Sequence, residues 1–543
     1  MTRGEGTRRA VVMAREGMVA TAHPLATAAG LDVLRRGGNA MDAAIAAALV
    51  TGVTLPAMCG LGGDAFMIYY DGRTGEVTAI NGSGIAPQAA SREYFVERGY
   101  EKMPFTGLLS VAVPGAVHAY FTAMERFGTM EPADLFAPAI RYAEEGFPLT
   151  TEGNQTIAAY AEGMSRFPTS AEIYLPGGAP PKPGHLLRNP NLARSMRLIV
   201  EGGPEVFYQG EIAEEIARFM AENGGLMTVE DLAGHESVVY QPLQTEYRGY
   251  TVYQTSLPSQ GIIMLEELNI LSNADLAAMG AGSADTIHLM VETKKLAFAD
   301  RLAYCGDPKF IQVPLETLLS PEFARERFKA IDMSRAMERC DAGIIPEQMG
   351  DTTYLCVVDR DGNAVSLIHS LSAAFGSQVV AGNTGILLNN RAGRGFTLEE
   401  GHPNVIAPGK RTMHTLNCYL ITQGGKLRWV GGTPGGDGQP QWNMQVITNL
   451  IDFGMNVQEA IEAPRWLSFP GTDPANLPND FVLRIEGRAG AEVIEDLRRR
   501  GHRVEVLGDW AAGGAAQVIE VDPETGTLFG GSDPRTEGLA LGY

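Results

Sequence analysis

Residues 350–376, GDTTYLCVVDRDGNAVSLIHSLSAAFG, hold the side chains best suited to covalent chemistry. Thr352 and Thr353 open one apolar stretch, and His369 and Ser370 close a second. A Thr-Thr pair at the start of a strand needs no functional explanation in itself, because β-branched residues favour strands. The turn Asp359-Arg360-Asp361-Gly362 changes that reading. A hairpin folded about it sets the Thr352 end opposite His369 and Ser370, within one residue of register. The Ser370 hydroxyl can then reach Thr352. A threonine hydroxyl is a weak nucleophile unless a base stands beside it, and a freed α-amino group of pKa near ~8 can be that base. The expected chemistry is cleavage of the chain before Thr352, after which the new N-terminal threonine attacks an amide.

Such a site needs a rigid frame. Residues 25–36 read as a helix stopped by Gly37-Gly38, and Asn39 opens an Ala-rich helix over 41–50. Residues 284–303 carry apolar side chains at three-, four- and seven-residue steps, which predicts a helix with one buried face. Further helices are expected around 131–145, 190–202 and 211–223. Residues 65–70 and 76–80 flank Asp71-Gly72 as a hairpin, and short strands are expected at 418–421, 429–432, 481–485 and 517–521. Helices and strands in blocks, with antiparallel hairpins, predict an α+β fold with sheet packed on sheet. The stretches 175–190 and 333–351 read as loops, the second ending at the expected cleavage point.

Several other chemistries are excluded. The sequence has no G-x-S-x-G, H-E-x-x-H or phosphate-binding P-loop. Gly60-Leu61-Gly62-Gly63 imitates a dinucleotide fingerprint, but the following DAFMIYYDG is strand-like, whereas a pyrophosphate needs a helix N-terminus there. The nine histidines are scattered without i,i+4 pairing, so no metal and no cofactor is expected. A net charge of −21 argues against nucleic acid or an anionic membrane as partner. The five cysteines (Cys59, Cys305, Cys340, Cys356, Cys418) contain no CxxC pair, and 356 and 418 sit in apolar runs as core thiols. With no long apolar stretch at the N-terminus, this usage suits a cytoplasmic protein.

Along nearly its whole length the chain resembles the γ-glutamyltranspeptidase family of N-terminal nucleophile hydrolases. The stretches that carry the resemblance begin with LRRGGNAMDAAIAAAL, GLGGDAFMIYYDG, VAVPGAV, YRGYTVYQTSLPSQG and HLMVETKKLAFADRLAYCGDP. TTYLCVVDRDGNAVS, GILLNN, GGTPGGD and SDPR follow in the same order. The resemblance implies a four-layer αββα sandwich built from a large fragment, 1–351, and a small fragment, 352–543, that associate intimately after cleavage between Asp351 and Thr352. It implies Thr352 as nucleophile and Thr353 and Ser370 as hydroxyl partners. It also implies Gly435 and Gly436 as donors of backbone N–H groups to an oxyanion, which glycine lets the backbone approach closely.

The substrate pocket departs from the family pattern. Where an arginine clamps the γ-glutamyl α-carboxylate, this sequence has Ser83. The positions that hold the α-amine read Ser372, Arg391 and Arg394 or Gly395, the usual Ser-Ser pair reads His414-Thr415, and the preceding lid loop is shortened. An ammonium group meeting Arg391, Arg394 and Arg411 faces like charge, whereas arginine holds carboxylates well. The resemblance thus implies an amide hydrolase acting on a small carboxylate-bearing acyl group, as in the cephalosporin acylase and oxamate amidohydrolase branch. The alternatives are a true γ-glutamyl hydrolase or transpeptidase acting on glutathione-like compounds, and a scaffold that never matures. The acyl acceptor and any homo-oligomer stay open.

Overall fold

The computed structural model describes residues 7–338, 340, 352–470 and 481–543. The two apolar stretches around the Asp359 turn pair as antiparallel strands, Thr353–Val358 and Ala364–Ser370, with Thr353 opposite His369. They lie in the middle of a seven-stranded antiparallel sheet whose order is Leu539–Gly542, Met18–Thr21, Thr353–Val358, Ala364–Ser370, Asp64–Tyr70, Val77–Gly82, Val238–Tyr240. A second seven-stranded sheet runs Val12–Ala14, Leu528–Ser532, Gln517–Val521, Lys426–Gly432, Tyr419–Gln423, Tyr250–Gln254, Leu243–Tyr247.

The sheets pack face to face over a core that includes Phe66, Ile68, Tyr354, Cys356, Ile368, Cys418, Leu420, Val430 and Ile519. The helices Pro24–Arg35, Ala40–Thr54 and Ala116–Phe127 cover the outer face of the first sheet, while Gly261–Leu271, Ala284–Tyr304 and Gly438–Ile451 cover the second. The result is the four-layer αββα sandwich. Central strands buried on both faces need apolar side chains throughout, which is why TYLCVV does not alternate.

Helix Ala40–Thr54 starts at a capping box: Asn39 Oδ1 accepts the Asp42 N–H at 3.0 Å, and Asp42 Oδ2 accepts the Asn39 N–H at 2.9 Å. Helix Ala284–Tyr304 departs from expectation, being buried on nearly all sides as far as Arg301. Its charges are paired within the protein, Lys295 with Glu292 at 2.7 Å and Arg301 with Asp437 at 2.6 Å. Periodicity does not announce Gly261–Leu271 or Gly438–Ile451, since neither has the polar face that sets a period. The stretch 175–190 holds only a turn at Pro176–Gly178 and a two-residue strand, Leu186–Leu187. Most of 333–351, including Asp351, falls outside the described residues.

The central hairpin is fastened at its turn. Asp359 Oδ2 accepts the N–H of Ala40 at 2.8 Å, and Asp359 Oδ1 accepts those of Asp361 at 2.9 Å and Asn363 at 3.0 Å. One carboxylate thus closes the turn and ties it to a helix start. Asp359→Ala leaves the buried Ala40 N–H and two part-buried turn N–H groups without their acceptor and should lower unfolding free energy by about 1–3 kcal/mol in urea titrations; an unchanged midpoint would remove this tie from the account of the fold.

Candidate active site

Alternation along the hairpin decides what faces the site. Tyr354 and Ile368 point between the sheets, whereas Leu355 and Leu367 point to the helices. Thr352 and Ser370 share the inter-sheet side, where Thr352 Oγ1 donates to Ser370 Oγ at 3.2 Å. Ser370 Oγ also accepts the Ser372 N–H at 2.7 Å. Thr353 is not brought to this pair: it lies opposite His369, whose face is turned to the helices. The His369 ring bonds Thr51 Oγ1 at 3.0 Å and Tyr120 O–H at 2.7 Å, and burial pushes its pKa down to about 3. His369 therefore holds the open end of the hairpin and cannot serve Thr352 as a base. Among the described residues no histidine or carboxylate hydrogen-bonds the Thr352 hydroxyl.

The Gly435-Gly436 turn stands at the same end. A Cβ on Gly432 would lie 2.5 Å from the Tyr354 ring, so the strand that leads into the turn ends against Tyr354, two residues from Thr352. Gly435 and Gly436 have φ of +128° and +55°, and a Cβ on Gly435 would lie 2.1 Å from the Trp442 ring. Gly435 O accepts the Gly438 N–H at 2.9 Å, at the start of helix Gly438–Ile451. In a trans peptide the N–H points opposite to the C=O, so the Gly436 N–H points away from the start of that helix.

Asp64, which motif reasoning passed over, organises the charged corner. Its strand partner is Ser370, so Thr352, Ser370 and Asp64 form a row across adjacent strands, spanning about 10 Å at the usual strand spacing. Asp64 Oδ2 accepts from Arg391 Nε at 3.0 Å and from His414 Nε2 at 3.0 Å, and Oδ1 accepts the Gly84 N–H at 2.8 Å. Burial pushes the Asp64 carboxyl up, but His414, Arg391 and the Gly84 N–H outweigh it and hold the pKa at about 2. Burial first, and Arg391 second, lower His414 to about 4. The neutral ring accepts the Leu416 N–H at Nδ1, which leaves its proton on Nε2 for Asp64.

The other expected pocket residues gather around this ion pair. Arg391 and Arg394 are fully buried on the short helix Arg391–Gly395. Arg394 donates to Ser372 O at 2.6 Å, and Arg411 Nε donates to Ser83 O at 3.0 Å. Ser83, Ser372 and Thr415 are buried, with hydroxyls that hydrogen-bond no atom among the described residues. Ser372 keeps φ at +88°, a strained value for a non-glycine residue, held by its bonds to Ser370 and Arg394. Gly63, in the GLGG string, lets the chain pass Ser370: a Cβ there would lie 2.3 Å from the Ser370 carbonyl oxygen. Those glycines serve packing, and the strand Asp64–Tyr70 follows them directly.

Among the described residues one group could hold a metal: His288, Glu292 and His502, whose donor atoms lie within 4.8 Å of one another. Its donors are already engaged, Glu292 by Lys295 at 2.7 Å and His288 by His502 at 2.8 Å and Asp332 O at 2.9 Å. No helix among the described residues is long and apolar enough to cross a membrane.

Two sheets between helical layers, with a threonine at the head of a central strand and a Gly-Gly turn beside it, define an N-terminal nucleophile hydrolase. Residues 26–543 match the family described as Gamma-glutamyltranspeptidase, and the chain belongs to that family. It is 39% identical over 541 residues to the glutathione hydrolase-like YwrD proenzyme of Bacillus subtilis (strain 168), spanning 98% of this chain and 99% of the relative. It is 37% identical to the oxamate amidohydrolase proenzyme of Klebsiella pneumoniae, over 97% of this chain and 98% of that one. The crystal structure of cephalosporin acylase from Bacillus halodurans superposes with a TM-score of 0.91 at 38% identity, covering 100% of this chain and 98% of that one.

The buried neutral histidines set a pH dependence. His414 and His369 have folded pKa values of about 4 and about 3, below the ordinary 6.5, so the unfolded chain binds the extra protons. Their contribution is complete above pH 6.5 and is lost as pH falls toward 4. Resistance to urea unfolding should therefore decline steadily as pH falls over that range, and His414→Asn should reduce the slope by about 1.4 kcal/mol per pH unit. A slope unaffected by the substitution would refute the neutral, buried imidazole.

Proposed function

We propose that this chain is an autoprocessing amidohydrolase that is cut before Thr352 into fragments 1–351 and 352–543 and then releases a small, carboxylate-bearing acyl group from an amide. The observation that carries the proposal is the Thr352–Ser370 hydroxyl pair at 3.2 Å, with no side-chain base bonded to Thr352 among the described residues. That arrangement leaves the freed α-amine of Thr352 as the base. Thr352 Oγ attacks the amide carbonyl carbon and its proton passes to the amine, while the N–H groups of Gly435 and Gly436 bind the tetrahedral oxyanion. Collapse expels the leaving amine, which takes the proton. Water then attacks the acyl ester, gives a proton to the α-amine, and the acid departs with Thr352 regenerated.

The electrostatics of the corner support the acyl class. Arg391, Arg394 and Arg411 are buried there, and both oxygens of Asp64 are already engaged by Arg391, His414 and the Gly84 N–H. A substrate ammonium finds the Asp64 carboxylate already engaged, whereas a substrate carboxylate meets guanidinium groups and the hydroxyls of Ser83, Ser372 and Thr415. The relative named for oxamate and the neighbour named for cephalosporin support the same class. A second reading, γ-glutamyl hydrolysis, draws support from the relative named glutathione hydrolase-like. The described cysteines are all unpaired, which favours a reducing, cytoplasmic setting.

Denaturing electrophoresis with N-terminal sequencing should give a small fragment beginning Thr-Thr-Tyr-Leu, and Thr352→Ala should remain one inactive chain. An active Thr352→Ala protein would sink the mechanism. Glutaryl and γ-glutamyl anilides differ only by the α-ammonium, so comparing kcat/KM isolates its cost. The glutaryl compound should be favoured by about tenfold or more, the equivalent of about 1.4 kcal/mol; the reverse preference would establish the γ-glutamyl reading instead.

A further inference from the structure

Gln260 ties the two halves of the site together without touching the reacting atoms. It immediately precedes helix Gly261–Leu271 and is fully buried. Its backbone N–H donates to His414 O at 2.8 Å. Its side-chain Nε2 donates to Gly436 O at 2.8 Å and, in a shorter bond, to Thr415 O. Its Oε1 accepts from Arg301 at 2.6 Å, and the same guanidinium nitrogen donates to Asp437 Oδ1 at 2.6 Å. Both N–H donors and the carbonyl oxygen of the amide are engaged, and only one orientation of it works: flipped, Oε1 would face two carbonyl oxygens and the NH₂ would face a guanidinium. Aspartate and asparagine are a methylene too short, and lysine would be repelled by Arg301.

We infer that Gln260 is a positioning residue, which holds the Gly435-Gly436 turn in its oxyanion-binding orientation and locks it to the His414-Thr415 wall of the acyl pocket. Arg301 and Asp437 hold the amide in turn. The inference rests on the reaction proposed above. Gly436 is free to rotate by its lack of a side chain, and its carbonyl is held by two donors, the Gln439 N–H at 3.2 Å and the shorter bond from Gln260 at 2.8 Å, which together restrain the peptide plane on its C-terminal side. Because the same NH₂ group grips Thr415 O, the distance between acyl pocket and oxyanion donors is set by one side chain.

Gln260→Glu is the discriminating variant, being isosteric with the wild type. Its carboxylate sets an oxygen against the carbonyls of Gly436 and Thr415, whereas the protonated acid can again donate to one of them. The processed variant should show kcat lowered by about 30-fold or more near neutral pH with KM within about threefold, since a misplaced oxyanion donor costs mainly transition-state binding. Its activity relative to wild type should recover as pH falls, which a misfolded protein cannot do. Gln260→Met, which fills the space without donating, should be impaired at every pH. An active wild type with both variants above half its kcat, or a Gln260→Glu deficit that does not change with pH, would overturn the assignment. A wild-type protein that neither cleaves itself nor hydrolyses amides would overturn the proposed reaction, and this inference with it.

Discussion

Everything at the site hangs on a hairpin that cannot slide. Thr353–Val358 and Ala364–Ser370 pair in the middle of a sheet, buried on both faces, with Asp359 fastening the turn and His369 the open end. A slip of one residue would turn Ser370 toward the helices and His369 toward the substrate. The bonds of His369 to Thr51 and Tyr120 oppose that slip, because both would be broken by it. A histidine next to the candidate nucleophile is thus a register peg and not a base.

The second constraint is electrostatic. Guanidinium groups buried at one corner need counter-charge, and Asp64, on the strand beside Ser370, supplies it to Arg391, while Asp307, Asp64 and Glu236 favour the charge of Arg411. His414 contributes a neutral ring, its proton directed at Asp64 by the Leu416 N–H on its other nitrogen. The corner is therefore rigid before substrate arrives, with its hydrogen bonds already aimed. Preorganisation of this kind lets a pocket favour one charge type without moving.

The hairpin, the αββα layering and the hydroxyl pair were legible because each rests on local patterns: an Asp-Gly turn, apolar strands of matched length, and motif spacing. Asp64 was not legible, because its role depends on which strand pairs with Ala364–Ser370, and the two are separated by some three hundred residues. The same holds for Gln260, whose partners come from three other segments. Helix Ala284–Tyr304 shows a further limit. Its apolar spacing marks one face, yet the helix is enclosed, and although Lys295 pairs with Glu292 one turn away, Arg301 is matched by Asp437, which only the tertiary structure brings near. Arg391 and Arg394 could be read as charged from the sequence, but whether they were solvated or buried could not.

The order of strands also bears on what happens once the chain is cut. Met18–Thr21 lies between Leu539–Gly542 and Thr353–Val358, and the Tyr543 N–H bonds Gly17 O at 3.1 Å. In both sheets, strands from before and after residue 352 are interleaved. A precursor meets these partners within one molecule, whereas two severed pieces, once unfolded, must find each other by diffusion. Cutting one peptide bond therefore acts as a ratchet: it leaves the folded assembly in place but makes recovery from denaturation a second-order event, dependent on concentration. The mature protein would owe its persistence less to equilibrium than to the slowness with which two interwoven sheets come apart.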